Sequence, residues 1–183
     1  MAMPDSNSDW PALKTQLERE KKADLIHLIQ ELTAVSPTVQ HFLHARYLHT
    51  RDTVARIQPY LKRIDAQFEG EETWSDLGQI AQAIQEYQLA TQKEPDGTTE
   101  LYVYALEATA GFFWGIGIHD MDLLSDVAEL AWQCVSHFNE FPPLYPLYIE
   151  RLRDIAGKLS EHQWEGLTEP FYQLEADMDN FTE

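Results

Sequence analysis

The fold is decided by one apolar stretch, Thr98–Ile116, which reads TTELYVYALEATAGFFWGI. On a helix of 3.6 residues per turn its large side chains cover most of the circumference instead of a single stripe. They are Leu101, Tyr102, Val103, Tyr104, Leu106, Phe112, Phe113 and Trp114. A helix that is apolar on nearly every side needs other elements around it. We therefore expect this segment at the centre of the fold and as its most buried helix.

The same stretch carries small residues at helical spacing. They are Ala105, Ala108, Gly111 and Gly115. Small side chains on one track of a helix allow a neighbouring helix to approach closely. This track predicts a tight helix–helix contact, with Gly111 inside it.

On both sides of the central stretch apolar residues recur at helical spacing, and strand-like alternation is nearly absent. The predicted helices run over Trp10–Glu20, Leu25–Val35, from Thr38 onward, Asp52–Phe68, Trp74–Gln92, Thr98–Ile116, Met121–Asn139, Tyr145–Leu159, and after Ser160. Short connections between them predict antiparallel neighbours. The fold class is all-α, with antiparallel helical hairpins that form either an irregular bundle or a short repeat-like stack.

Prolines and capping residues set several expected boundaries. Pro59 predicts a kink or break in its helix, and Pro170 disturbs the pattern of the last one. Pro95-Asp96-Gly97 has the composition of a turn. Ser160 with Gln163 fits a capping box that opens the last helix.

The length of 183 residues fits one domain, 1–183, with flexible ends at 1–8 and 175–183. Such a chain buries enough surface to fold without a metal or a disulfide, and no cofactor is expected. Cys134 is the only cysteine, which favours a reducing compartment and a buried, unreactive thiol. No secretory signal or membrane span is visible, so we expect a cytoplasmic location.

Charge is sorted unevenly along the chain, whose formal net charge is −18. That charge disfavours nucleic acid and anionic membrane surfaces as partners, because both are negative. From Asp65 to Glu150 sixteen acids face one base, Lys93. Between Glu31 and Asp65, in contrast, Asp52 is the only acid. The bases of that stretch are candidates for binding an anion or a partner: Arg46, Arg51, Arg56, Lys62 and Arg63.

Arg46 is unusual because it falls among apolar residues on its predicted helix, beside Val39, Phe42 and Leu43. A buried guanidinium needs a partner, since an unpaired buried charge is costly. We expect either an ion pair or a contact with helix-end carbonyls. The alternative is a clamp for an anion or a peptide carboxylate.

Histidines give the alternative chemistry. His41 and His44 are three residues apart on a helix, so both rings could reach one metal ion, with His49 just beyond. The neighbouring Arg46 opposes a cation there. His119, followed by Asp120, could serve in acid–base chemistry, although the turn also fits a helix start.

Aromatic residues mostly follow the helical stripes, and a core role is expected for them. Tyr145 and Tyr148 are the exception, because three prolines lie near them in the sequence. These two tyrosines could line a groove.

The opening of the chain resembles a bacterial all-helical family of unknown function. The resemblance lies in Ala23–Leu32, with its two Leu-Ile pairs and a Leu, then Ser36–Val39 and Phe42–Arg46. Further likeness lies in Tyr60, Lys62 and Phe68 and in the turn Gly117–Asp120. This resemblance implies an all-helical fold and supplies no catalytic residues.

Stacked helices leave grooves suited to peptide segments, and an acidic surface selects basic partners. The function expected from the sequence is a cytoplasmic, non-catalytic protein-interaction or adaptor module. The alternative is a small metal-dependent or small-molecule enzyme that uses His41, His44 or His119.

Overall fold

The computed structural model describes residues 9–48, 52–69, 77–116, 121–160 and 165–181. Within these ranges the chain is helical and contains no strand, which confirms the all-α class. The helices are α1 (Trp10–Leu17), α2 (Lys22–Val35), α3 (Pro37–Leu43), α4 (Thr53–Asp65), α5 (Leu77–Thr91), α6 (Pro95–Ile116), α7 (Met121–Glu140), α8 (Tyr145–Ser160) and α9 (Glu165–Phe181). A π-helical turn (His44–Leu48) follows α3, and a 3-10 turn (Pro142–Leu144) precedes α8. Among the described helices none has the length and apolarity needed to cross a membrane.

The chain divides into two compact units, Met1–Leu43 and His44–Glu183, and the single domain expected from the sequence stays a prediction. The described part of the first unit contains α1, α2 and α3, of which α2 packs against α3. None of the residues in these three helices is buried. The described helices of the first unit therefore form no buried core.

The core of the second unit surrounds α6, as the sequence predicts. This helix packs against α4, α5, α7 and α8, while α9 covers α7 and α8. Leu101, Val103, Leu106 and Phe113 of α6 are at most 1 % exposed. A central helix with four neighbours is typical of a bundle, so within this unit the bundle describes the packing better than a linear stack.

The tight helix–helix contact predicted along the small-residue track is wrong at Gly111. This glycine is exposed, and a Cβ added to it would have no atom within 4 Å. Gly111 shares its face of α6 with Glu107 and Glu100, four and eleven residues earlier. Glu100 and Glu107 are half-buried on this face, where both bond to Arg151 of α8, whereas Gly111 lies in open space.

The start of α6 also differs from prediction, because Pro95-Asp96-Gly97 forms its first turn. Proline suits the first helical position, where its missing N–H has no intrahelical partner. The turn lies earlier, at Gln92 and Lys93, whose φ angles are 59° and 62°.

Neither internal proline interrupts its helix. α4 continues through Pro59, and α9 continues through Pro170 and reaches Phe181. Met178, within the end 175–183 that was expected to be flexible, is only 5 % exposed because α9 packs against α7 and α8. Ser160 ends α8, and its hydroxyl donates to the carbonyl of Gly157 at 2.7 Å.

Candidate interaction surfaces

Two of the predicted partner-binding arginines are engaged within their own unit. Arg56 is 9 % exposed; its Nη2 donates to Thr53 Oγ1 at 3.1 Å and lies 3.5 Å from Glu94 Oε2. Arg63 of α4 forms an ion pair with Glu86 of α5. Both guanidinium groups thus neutralise acids that come from, or directly follow, the neighbouring helix.

Arg46 makes one of the two contacts expected for it. It lies in the π-helical turn and is half-buried, and its Nη2 donates to the carbonyl of Leu89. Leu89 belongs to the last turn of α5, where carbonyls lack intrahelical partners. Lys62 is exposed, and Arg51 lies outside the described residues.

The candidate metal ligands fall on different elements. His41 belongs to α3 of the first unit, whereas His44 begins the π-helical turn of the second unit. The described residues contain no group of three or more His, Cys, Asp or Glu side chains able to hold a metal ion. His49 and His119 lie outside the described residues.

The two candidate groove tyrosines both pack on Phe138, but only Tyr145 lines a groove. Tyr145 meets Phe138 edge-on, with 6.0 Å between ring centroids, and lines a groove between α8 and α9. Tyr148 also packs on Phe138, and the Arg151 guanidinium lies 5.4 Å from its ring centroid. Burial and the neighbouring Glu100 raise the pKa of Tyr148 to about 12.

The groove between α8 and α9 has a volume of about 230 Å³. Its buried lining residues include Leu152, Phe171 and Leu174. Arg153 and Glu175, joined at 2.7 Å, form a charged part of the lining. The groove is smaller than a usual ligand pocket and fits a single side chain.

A larger depression lies between α5 and α7, and we call it the amide groove. It consists of two adjoining hollows of about 400 and 240 Å³ that share Gly78, Ala81 and Gln133. The remaining lining residues are Leu77, Gln82, Gln85, Gln88, Tyr102, Asp126, Glu129 and Leu130. Four glutamine amides and two carboxylates thus line the groove, and no Lys or Arg is among its lining residues.

Part of the hydrogen-bonding capacity of these amides is used locally. Gln82 Nε2 donates to Glu86 at 3.0 Å, and Gln133 Nε2 donates to Glu129 at 3.3 Å. Tyr102 is only 7 % exposed; burial raises the pKa of its hydroxyl, Cys134 adds to this, and a hydrogen bond with Gln88 opposes it. The signal for this groove was present in the sequence, because α5 has a glutamine at every third position from Gln79 to Gln88.

The first unit offers a different surface, made of exposed apolar side chains. Exposure ranges from 40 % for Leu28 to 79 % for Val35. The full set is Trp10, Leu13, Ile26, Leu28, Ile29, Leu32 and Val35. On α2, the residues Leu25, Leu28, Leu32 and Val35 follow one another at spacings of three, four and three, as on one face of a helix. We call these four residues, with Ile29 beside them, the α2 stripe; Leu25 is half-buried and the other four are exposed.

Two buried residues whose side chains could take part in chemistry, Cys134 and His137, lie away from these surfaces. Cys134 is 1 % exposed, and burial raises the pKa of its thiol, so the thiolate is disfavoured. His137 is 6 % exposed and bonds to Thr99. Neither residue lines the groove between α8 and α9 or the amide groove, and neither belongs to the α2 stripe.

Comparison with known proteins gives no assignment. No family model matches the chain, and neither a curated protein nor a solved structure matches it.

Proposed function

We propose that this chain is a non-catalytic protein-interaction module that docks through the α2 stripe. The observation that carries the proposal is the exposure of that stripe on a helix with no buried residue. Contiguous exposed apolar side chains mark interaction sites in folded proteins. Full burial of a large, fully exposed apolar side chain contributes about 1.5–3 kcal/mol. The exposed residues of the stripe keep between 40 % and 79 % of their surface in water, so a corresponding part of that free energy is available for binding a partner.

The spacing of the stripe suits one mode of recognition. A helix that presents anchors at three- and four-residue intervals can lie in an apolar groove of a partner. The partner chemistry follows from charge, because the chain carries −18. Like charge opposes association of two copies, and a positively charged partner is attracted. We therefore commit to a basic partner protein with an apolar groove for α2.

A cytoplasmic location and kinship with the bacterial helical family are part of this proposal. The single cysteine, which is buried and free, supports a reducing compartment. The opening segment that carries the family resemblance is the segment that contains the α2 stripe.

To test the proposal, the full chain is immobilised on a resin as bait and incubated with extract from its native cell. Three baits are compared: the wild type, the double variant Leu28→Ala/Leu32→Ala, and the control Gln30→Ala on the exposed polar side of α2. A basic protein should be retained by the wild type and the control and reduced at least tenfold on the double variant. Equal retention of every bound protein by all three baits would contradict the proposal.

Whether the α2 stripe binds a second copy of this chain is tested separately, by sedimentation of the wild type over a range of concentrations. The proposal expects a monomer at moderate salt. A dimer that the Leu28→Ala/Leu32→Ala variant abolishes would assign the stripe to self-association and overturn the choice of partner.

A further inference from the structure

We infer that the amide groove binds an extended, basic peptide segment. It is a second contact surface of the interaction module proposed above, formed by helices of the second unit. The inference rests on three independent features of the groove, namely its shape, its amides and its charge.

The shape of the groove comes from small residues on α5. Gly78 and Ala81 lie where α5 faces α7, and both line the two adjoining hollows. The lining of the two hollows extends along α5 from Leu77 to Gln88, about 16 Å of helix axis, so together they form one elongated depression. An elongated and open depression fits a chain segment better than a compact ligand, which pockets usually enclose almost completely.

The amides suit a peptide backbone. Gln82, Gln85 and Gln88 recur every three residues, which places them about 4.5 Å apart along the α5 axis. Each primary amide carries two donor hydrogens and an acceptor oxygen. An extended peptide presents N–H and C=O groups that must find partners wherever water is displaced. A row of amides can satisfy both kinds of group without selecting a particular sequence.

The charge of the groove selects the side chains of the segment. Asp126 and Glu129 line it from α7, and both are exposed. Glu86, which accepts from Gln82, lies next to the groove and is partly neutralised by Arg63. Lys or Arg side chains on the bound segment would meet carboxylates, whereas Asp or Glu would be repelled. Because Asp126 and Glu129 are exposed, their contribution is modest and falls as salt screens it.

The probe for this inference is a fluorescein-labelled decapeptide of alternating Lys and Ser, and its counterpart of alternating Glu and Ser is the control ligand. Fluorescence anisotropy with the full chain at low ionic strength should show saturable binding of the Lys peptide only. The double variant Asp126→Asn/Glu129→Gln should weaken it about three- to tenfold. Ala81→Phe should weaken it at least as much at unchanged charge, because the phenyl ring fills the groove.

The matched control removes two exposed acids elsewhere, in the variant Glu140→Gln/Glu169→Gln. It should bind the Lys peptide within twofold of the wild type, and helical circular dichroism should be equal for all variants. If the control weakens binding as much as Asp126→Asn/Glu129→Gln, or if Ala81→Phe binds like the wild type, attraction to the acidic surface as a whole explains the binding and the groove is not the site. Absence of saturable binding by the wild type overturns the inference as well.

The variant Leu28→Ala/Leu32→Ala separates this inference from the proposed function. It should bind the Lys peptide as the wild type does, since the stripe and the groove share no residue. If the amide groove does not bind the Lys peptide, retention of a basic protein through the α2 stripe should be unchanged. If the α2 stripe retains no basic protein, binding of the Lys peptide should be unchanged.

Discussion

Gly97 lies directly against Tyr87, so closely that a Cβ on Gly97 would come 2.0 Å from the tyrosine hydroxyl oxygen. The Tyr87 hydroxyl donates to Glu94 Oε2 at 2.8 Å, and the same oxygen accepts the Gly97 amide at 3.1 Å. Arg56 Nη2 lies 3.5 Å from it. One carboxylate oxygen thus caps the first turn of α6 and ties it to α4 and α5.

Gly97→Ala should destabilise the protein by about 1–3 kcal/mol, because Tyr87 is fully buried and cannot yield without disturbing the core. The gain of about 0.5–1 kcal/mol that alanine brings to a helix is too small to compensate. Urea unfolding followed by circular dichroism measures the difference. An unchanged or raised midpoint would show that Tyr87 is not fixed by Glu94.

Gly111→Ala should have the opposite effect and raise the free energy of unfolding by about 0.5–1 kcal/mol. The new methyl group meets no atom within 4 Å, so only the backbone entropy of the unfolded chain changes. The same unfolding assay applies, and Gly97→Ala and Gly111→Ala serve as controls for each other. Destabilisation by Gly111→Ala would contradict the open space at this position and support the tight helix–helix contact that the sequence predicted there.

The apolar pattern of Thr98–Ile116 was enough to predict the centre of the fold, because only a central helix can bury side chains on most of its surface. The pattern could not show which sector stays open, since that depends on where α4, α5, α7 and α8 pack. The beginning of α6 was missed for a related reason. Pro95-Asp96-Gly97 fits a turn and a first helical turn equally well, and the tertiary contacts of Glu94 decide between them.

The candidate sites were less predictable than the fold. The sequence shows that Arg56 and Arg63 are basic, but their partners Glu94 and Glu86 lie 38 and 23 residues away. Pairing across such distances is fixed only by packing. Arg46 was more tractable, because a guanidinium on an apolar face needs an acceptor and helix-end carbonyls are common ones.

Arg151 of α8 should be a major electrostatic link to α6. Its guanidinium makes two bonds to each of two carboxylates, those of Glu100 and Glu107, at 2.7–3.0 Å. The three side chains are about one-third exposed, so Arg151→Met should cost about 1–3 kcal/mol, between the values for exposed and buried pairs. Arg151→Lys should recover only part of this, because an ammonium group cannot make paired parallel bonds.

The matched control for Arg151 is Arg153→Met on the same helix. Arg153 is 55 % exposed and contacts Glu150 and Glu175, so solvent screens its ion pairs and its loss should change the free energy of unfolding much less than the loss of Arg151. Equal effects of the two variants in urea unfolding would contradict a special role for the Arg151 network.

His137 links α7 to the beginning of α6 through a hydrogen bond of defined direction. Thr99 Oγ1 donates its only hydrogen to the Pro95 carbonyl at 2.8 Å, so at 2.9 Å it accepts from His137 Nε2. The imidazole lies among aromatic rings, with Phe141 at 5.0 Å and Tyr102 at 5.6 Å between centroids. Burial lowers the pKa of His137, while the Pro95 carbonyl, Glu140 and Glu94 oppose the shift.

Because its pKa is lower in the folded state, His137 should make the protein less stable as the pH falls below about 6.5, the pKa of an unfolded histidine. Above that value both states are neutral; below it the unfolded chain binds a proton that the folded protein refuses, until the folded pKa is reached. His137→Gln retains an N–H donor for Thr99 and cannot titrate. Urea unfolding of both proteins at pH 7.5 and 5.5 should therefore show the wild type losing more stability than His137→Gln, since the other titrating groups contribute to both and cancel. A difference between the two proteins that is constant with pH, or that shifts in favour of the wild type at pH 5.5, would mean that His137 accepts its proton in the folded state as readily as in the unfolded chain.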